Sequence, residues 1–275
     1  MQFVDKALAR RFEAVEEMPQ VEYARVFQKT RPEIGAAVDE ICGGHMVFAG
    51  LGSPIGRATG AGFDRPFTAA DLDRVEQFYA AHGAPSQVDL CPMHGPEVFE
   101  LFKERGYAIA ELNNVLYRKL DAGEKFPPAS AGCEVRRSAE EEAHITGAIV
   151  EGAFFPDGAP EAFRGLITPL YQMKQALAFA ATVDGKLVAC GTGLVIPEHR
   201  VFALCGAGTL AEFRGRGLQT ALLRARLAAA VEAGCEYAVV VTHGGTTSQR
   251  NAERLGFRVA YSKVTVIKNL ELQAS

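Results

Sequence analysis

The chain has 275 residues, 48% of them hydrophobic and 23% charged, which supports one large or two modest globular domains. Its net charge of −4 argues against a general binder of nucleic acid or anionic membrane, while leaving room for a local basic pocket. Its six cysteines form no C-x-x-C pair and stand at no finger spacing with histidine, so they read as small buried thiols, with no metal and no disulfide frame expected. The start, Met1-Gln2-Phe3-Val4-Asp5-Lys6-Ala7, has no signal-peptide pattern, and no long uncharged apolar run follows. A cytoplasmic protein without membrane or nucleic-acid partners is the expectation.

In the first half, Gly60-Ala61-Gly62 is followed by Phe63-Asp64-Arg65-Pro66. Thr68 is an N-cap for a helix over residues 69–81, with Asp71 at its third position. Val88-Asp89-Leu90-Cys91 reads as a strand, and another runs from Glu111 to Tyr117 after Gly106-Tyr107. Residues 121–132, rich in Pro, Gly and small residues, form the best linker.

The second half opens on a strand at residues 133–137 and a helix capped by Ser138, with Ile145, Ala148 and Ile149 on one face. Phe154-Phe155-Pro156-Asp157-Gly158 breaks that helix, and a second is expected over residues 161–175. Asp184-Gly185 turns a hairpin between residues 177–183 and 186–196. A strand over residues 201–210 contains Gly206-Ala207-Gly208-Thr209-Leu210. Then come Arg214-Gly215-Arg216-Gly217-Leu218-Gln219, a helix from Leu218 to Glu232, a strand over residues 237–241, a short helix ending in Leu255-Gly256-Phe257, and a closing strand over residues 258–268.

A strand that leads through glycines and arginines into a helix start is an anion site. Glycine lets backbone N–H groups approach a phosphate, and the helix N-terminus adds its positive dipole end. The overlapping Gly206-x-Gly208-x-x-Ala211 approximates a dinucleotide fingerprint but fails as one, because the helix begins only after Arg216 and Glu232 ends that helix rather than a second strand.

The turn resembles the acetyl-CoA motif of the GCN5-related N-acetyltransferase (GNAT) superfamily, Arg/Gln-x-x-Gly-x-Gly/Ala at a helix start. Arg214 and Gly217 match it, and Gln219 departs from it. The Leu-Gly-Phe ending of the short helix extends the resemblance over about residues 133–270. The implied fold is α/β (α+β), a mixed, mostly antiparallel sheet flanked by helices. The implied reaction is direct acetyl transfer from acetyl-CoA to the amine of a small-molecule or amino-acid-like acceptor. Arg214, Gly215, Arg216, Gly217, Leu218, Gln219 and Thr220 would hold the pyrophosphate, and Ala207, Gly208, Thr209, Leu210 and Asn251 the pantetheine arm. Phe154, Phe155 and Phe163 would shape the acceptor side. The family's tyrosine acid is replaced by Ala252; Tyr261, nearby within the closing strand, is weighed for that proton, and His243 is the candidate base. A non-catalytic acyl-CoA-binding sensor is the alternative, and a monomer or homodimer is expected.

The halves echo each other. Gly106 and Gly256, Leu120 and Leu270, and the strands at 88–91 and 238–241 all share an offset of 150 residues. Two tandem GNAT-like domains are therefore expected: a degenerate copy without the cofactor motif at 1–120, a linker at 121–132 and the acetyl-CoA-binding domain at 133–275.

Overall fold

The structure, a computed structural model, describes residues 2–128 and 132–270; positions 129–131 of the expected linker lie outside the described residues. In chain order the elements are α1 (Lys6–Thr30), β1 (Ala37–Ile41), β2 (Gly44–Phe48), β3 (Ala58–Thr59), α2 (Ala69–Ala81), β4 (Ser86–Leu90), α3 (Pro96–Glu104) and β5 (Ala108–Lys119). They continue with β6 (Glu134–Arg137), α4 (Ala143–Phe154), α5 (Thr168–Gln172), β7 (Phe179–Val183), β8 (Lys186–Ile196), β9 (Val201–Thr209), α6 (Leu218–Glu232), β10 (Tyr237–His243), α7 (Thr247–Arg254) and β11 (Arg258–Lys268). Two compact units emerge, Met1–Val115 with Ala260–Ser275, and Leu116–Val259. These differ from a division at 120 and 133: the last residues of β5 fall in the second unit, and most of β11 falls in the first.

In the first unit β1, β2 and β3 are antiparallel, β3 pairs with β4 in parallel at Ala58 and Val88, and β11 pairs antiparallel with β4 from Val264–Leu90 to Lys268–Ser86. In the second unit β6, β7, β8 and β9 are antiparallel and β9 pairs with β10 in parallel. Each unit is thus a mixed, mostly antiparallel sheet flanked by helices, with its one described parallel pair at the same place in the order of elements.

α1 was not visible in the sequence pattern. Asp5 caps it, accepting from the Leu8 N–H at 2.8 Å, and Phe12, Val15, Val21 and Phe27 are buried along it. It also buries Glu13 and Glu17, which break an apolar stripe. Glu13 is matched by β11: the Tyr261 hydroxyl donates to its carboxylate at 2.7 Å, and the Lys263 ammonium lies 3.2 Å from it. Lys263 also pairs with Glu16 and, at 3.4 Å, with Asp89. Asp89 further accepts from Thr265 at 2.6 Å and from Arg57 at 3.3 Å.

Two expectations in the second half are corrected. Ser138 does not cap a helix; the Glu142 carboxylate takes that place, accepting from the Ala139 N–H at 2.9 Å and from Arg136 at 2.6 and 2.8 Å, which holds its pKa down to about 2. The helix expected over 161–175 is reduced to a 3-10 turn at Glu161–Phe163 and the five-residue α5. Gly165, at φ 69°, and Pro169 account for the break. By contrast α6 spans the expected range and ends on Gly234 at φ 73°, with the Cys235 N–H donating to the Ala230 carbonyl at 3.0 Å.

Candidate functional site

The site is built where β9 leaves β10. Their ladder joins Val201 to Tyr237, Phe202 to Ala238 and Ala203 to Val239, yet β9 continues to Thr209 and β10 to His243. The two strands therefore part over residues 204–209 and 240–243, which exposes strand edge able to pair with an extended ligand. Glycine lets α4 close one side of this segment. A Cβ on Gly208 would lie 2.7 Å from the Ala153 Cβ and 3.0 Å from the Val150 Cα, so any side chain would push the helix away.

Beyond β9, a 3-10 turn at Ala211–Phe213 leads to Gly215 and Gly217, both at φ 77°. Gly217 is the N-cap of α6 and offers no side chain to the helix's first amides. Those donors are left for an external acceptor, and the dipole favours an anion there. Two cations sit nearby: Arg216 and Lys186 lie 5.2 and 5.3 Å from the Phe213 ring centroid.

Arg214 serves the frame of the turn. Its guanidinium donates from Nε to the Thr209 carbonyl at 3.2 Å and from Nη2 to the Ala153 carbonyl at 2.6 Å, tying the end of β9 to α4. Gln219, the position that departs from the motif, donates from Nε2 to Thr209 Oγ1 at 2.9 Å. The structure thus brings together Thr209, Arg214 and Gln219 at one turn. Leu218 is buried, Thr220 half-buried, and Gly215, Arg216 and Gly217 are exposed. Ala207 and Gly208 lie in the segment of β9 beyond its ladder with β10, and Leu210 follows it.

The equivalent place in the first unit is closed. Thr68 and Asp71 form a reciprocal capping box at the start of α2, and Arg65 holds the Asp71 carboxylate at 2.6 and 2.8 Å. The anion position is taken by the protein's own carboxylate, whose pKa these bonds press well below the usual range. The β3–β4 gap is filled as well, since a Cβ on Gly60 would lie 2.2 Å from Glu17 Oε2.

His243 ends β10 with its ring exposed, and its carbonyl accepts from the Thr242 and Thr246 hydroxyls at 2.8 and 2.9 Å. Asn251 is half-buried on α7, and Ala252 is buried. Tyr261 is placed elsewhere. It belongs to the first unit, its hydroxyl is committed to Glu13, and burial with that carboxylate pushes its pKa far up. Burial pushes the Cys205 thiol up to about 12, which disfavours its thiolate.

A cavity of about 430 Å³ lies beside α4, lined by His144, Glu151, Phe155 and Thr168 among others. Glu151 accepts from the Gly165 N–H at 2.9 Å, and Phe155 meets Phe163 edge-on at 4.9 Å. Phe154 points away, 62% exposed. Sequence reasoning missed Glu151, Tyr171 and Arg226; the i, i+7 spacing of His144 and Glu151 on one helix was the available signal for the cavity.

Among the described residues no group of three or more His, Cys, Asp or Glu could hold a metal, and no helix is long and apolar enough to cross a membrane.

Residues 141–257 match the model of the Acetyltransferase (GNAT) family. No curated protein matches the chain. Among solved structures, a GCN5-related N-acetyltransferase from Kribbella flavida is 20% identical, with a TM-score of 0.63, over 91% of this chain and 97% of its own. A tandem GNAT protein from the clavulanic acid biosynthesis pathway is 14% identical, with a TM-score of 0.60, over 85% and 78%. A GCN5-related N-acetyltransferase from Sphaerobacter thermophilus is 19% identical, with a TM-score of 0.53, over 70% and 63%. At these identities the likeness is one of fold. The family match places a GNAT domain at residues 141–257.

Proposed function

We propose that the second unit is an acetyl-CoA-dependent N-acetyltransferase acting on the amine of a small-molecule or amino-acid-like acceptor. The observation that carries this is the uncapped start of α6 directly beyond the parted strands β9 and β10. The pyrophosphate would lie on the amides from Arg214 to Thr220. The pantetheine arm would pair with the edge of β9 from Ala207 to Leu210, with Asn251 across the gap. The neutral amine attacks the thioester carbonyl carbon, the C–N bond forms as the C–S bond breaks, the amine proton leaves to a base, and the thiolate takes up a proton. Glu151 in the cavity beside α4 suits an acceptor bearing a positive charge.

His243 is the proposed base, directly or through water. His243→Ala should lower turnover about a hundredfold, the low end of general-base catalysis, with acetyl-CoA affinity nearly intact. A steady-state rate close to wild type with an unchanged pH profile removes His243 from this role.

The first unit is proposed to be a degenerate copy that has lost the cofactor, because Thr68, Asp71 and Glu17 fill its anion site and gap. Calorimetry should find one equivalent of CoA per chain; two equivalents would refute the closed site.

A non-catalytic acyl-CoA sensor is the second reading. It is favoured by the buried Ala252, which cannot release a proton, where the family places a tyrosine. Free-thiol release from acetyl-CoA across an amine panel decides between them.

A further inference from the structure

Two side chains that this chemistry does not use meet at one irregularity in the sheet. The ladder between β8 and β9 pairs Cys190 with Gly208 and then Thr192 with Cys205, so Gly191 stands opposite both Gly206 and Ala207. Two residues against one make a β-bulge, which leaves an extra residue outside the ladder. Gly206 takes φ 50° there. The bulge falls in the part of β9 that has already run past its ladder with β10.

Each face of this sheet sends one side chain to the bulge. Gly208 faces α4, since a Cβ there would strike Ala153. Its partner Cys190 shares that face, so Gly191 faces the other way. On that side lies the guanidinium of Arg226, and a Cβ on Gly191 would sit 2.9 Å from its Cζ. Arg226 donates from Nη1 to the Thr192 carbonyl at 3.1 Å and from Nε to the Leu222 carbonyl at 3.2 Å. From α5, the Tyr171 hydroxyl donates to the Gly206 carbonyl at 2.7 Å. Both side chains are buried, and among the described residues no carboxylate pairs with Arg226. An unpaired buried charge is costly to keep. Here it is spent on a carbonyl beside the bulge, and burial draws its pKa down to about 10, so it stays protonated near neutral pH.

We propose that Tyr171 and Arg226 are positioning residues that clamp the bulge at Gly206 and Ala207 from opposite faces and hold its freed amide toward the thioester carbonyl. This rests on acetyl-CoA lying in the β9–β10 gap. A glycine-containing bulge with unfixed carbonyls has several orientations, and an amide stabilises developing negative charge only when it is aimed in advance. Acetyl-CoA has the carbonyl that this amide would meet, and CoA lacks it. The signature of the clamp is therefore a difference between the two ligands.

The test is calorimetry of CoA and acetyl-CoA on the full chain, wild type against Tyr171→Phe, Arg226→Met and Arg226→Lys, with a thermal melt of each. Tyr171→Phe and Arg226→Met should weaken acetyl-CoA relative to CoA about tenfold, the size of one lost hydrogen bond, with CoA affinity held within about twofold. Arg226→Lys keeps a donor and should recover part of the loss. An equal change for both ligands, or no change for either, overturns the clamp. A wild-type chain that binds neither ligand overturns both the clamp and the cofactor site. A chain that binds both but acetylates no amine overturns the catalytic reading, while the affinity ratio still decides the clamp.

Discussion

Gly217→Asp should abolish measurable acetyl-CoA binding while the chain stays folded. A Cβ at Gly217 meets nothing within 4 Å, so bulk is not the obstacle. The residue is exposed at φ 77°, a conformation aspartate tolerates better than most side chains. What changes is charge. A carboxylate about 4 Å from a phosphate costs about 4 kcal/mol per pair of unit charges near a protein surface, or about a thousandfold in affinity. Gly217→Asn has the same shape and backbone demand without the charge, and should lose much less. If calorimetry finds the two variants equally affected, strain explains the loss. If it finds Gly217→Asp unaffected, the phosphate lies elsewhere.

The second large effect is on stability. Lys263→Met should destabilise the first unit by about 3–5 kcal/mol, the usual result of removing one partner from a buried ionic cluster. Lys263 pairs with Glu13, Glu16 and Asp89 at once, and Asp89 and Glu13 are almost fully buried. The carboxylates raise the Lys263 pKa well above its ordinary value, so its contribution is complete below that value and fades only as pH rises through the folded one. The Asp89 pKa is lowered, against its burial, by Lys263 and Arg57. Its contribution is therefore present above the ordinary carboxylate pKa of about 3.9 and fades as pH falls below that. Between those limits the gap between wild type and variant should be widest, and it should narrow in acid as the carboxylates take up protons. Urea denaturation at pH 7 and pH 3 checks this. A constant gap would mean that the lysine stabilises through packing alone.

Much of the second unit was legible because its signals are local. The helix start at Leu218, the Gly234 cap and the Asp184-Gly185 turn each specify backbone within a few residues. What stayed hidden depends on distant partners. Glu13 and Glu17 disguised α1, since two buried carboxylates look like solvent-facing positions until Lys263, Tyr261 and His45 supply their counterparts. Tyr261 read as a neighbour of the cofactor gap by distance along the chain, yet its strand crosses into the first unit. Residue type could not show that two carbonyls direct the Arg214 guanidinium into the frame of the turn. The bulge at Gly206 could not be found either, because a one-residue shift against β8 shows only when both strands are paired.

The membership of β11 bears on how the chain comes off the ribosome. The first unit is missing a strand until Ala260 and the residues after it are made, about 145 residues beyond Val115. At ~5–20 residues per second, that is a wait of roughly 7–30 s. Over that interval the exposed edge of β4 and the acidic face of α1 have no partner from β11. The second unit is complete only by Val259 and the first only with the rest of β11, so neither can close before nearly the whole sequence is made. Pulse proteolysis of chains stalled before Ala260 should find the first half less protected than in the full chain.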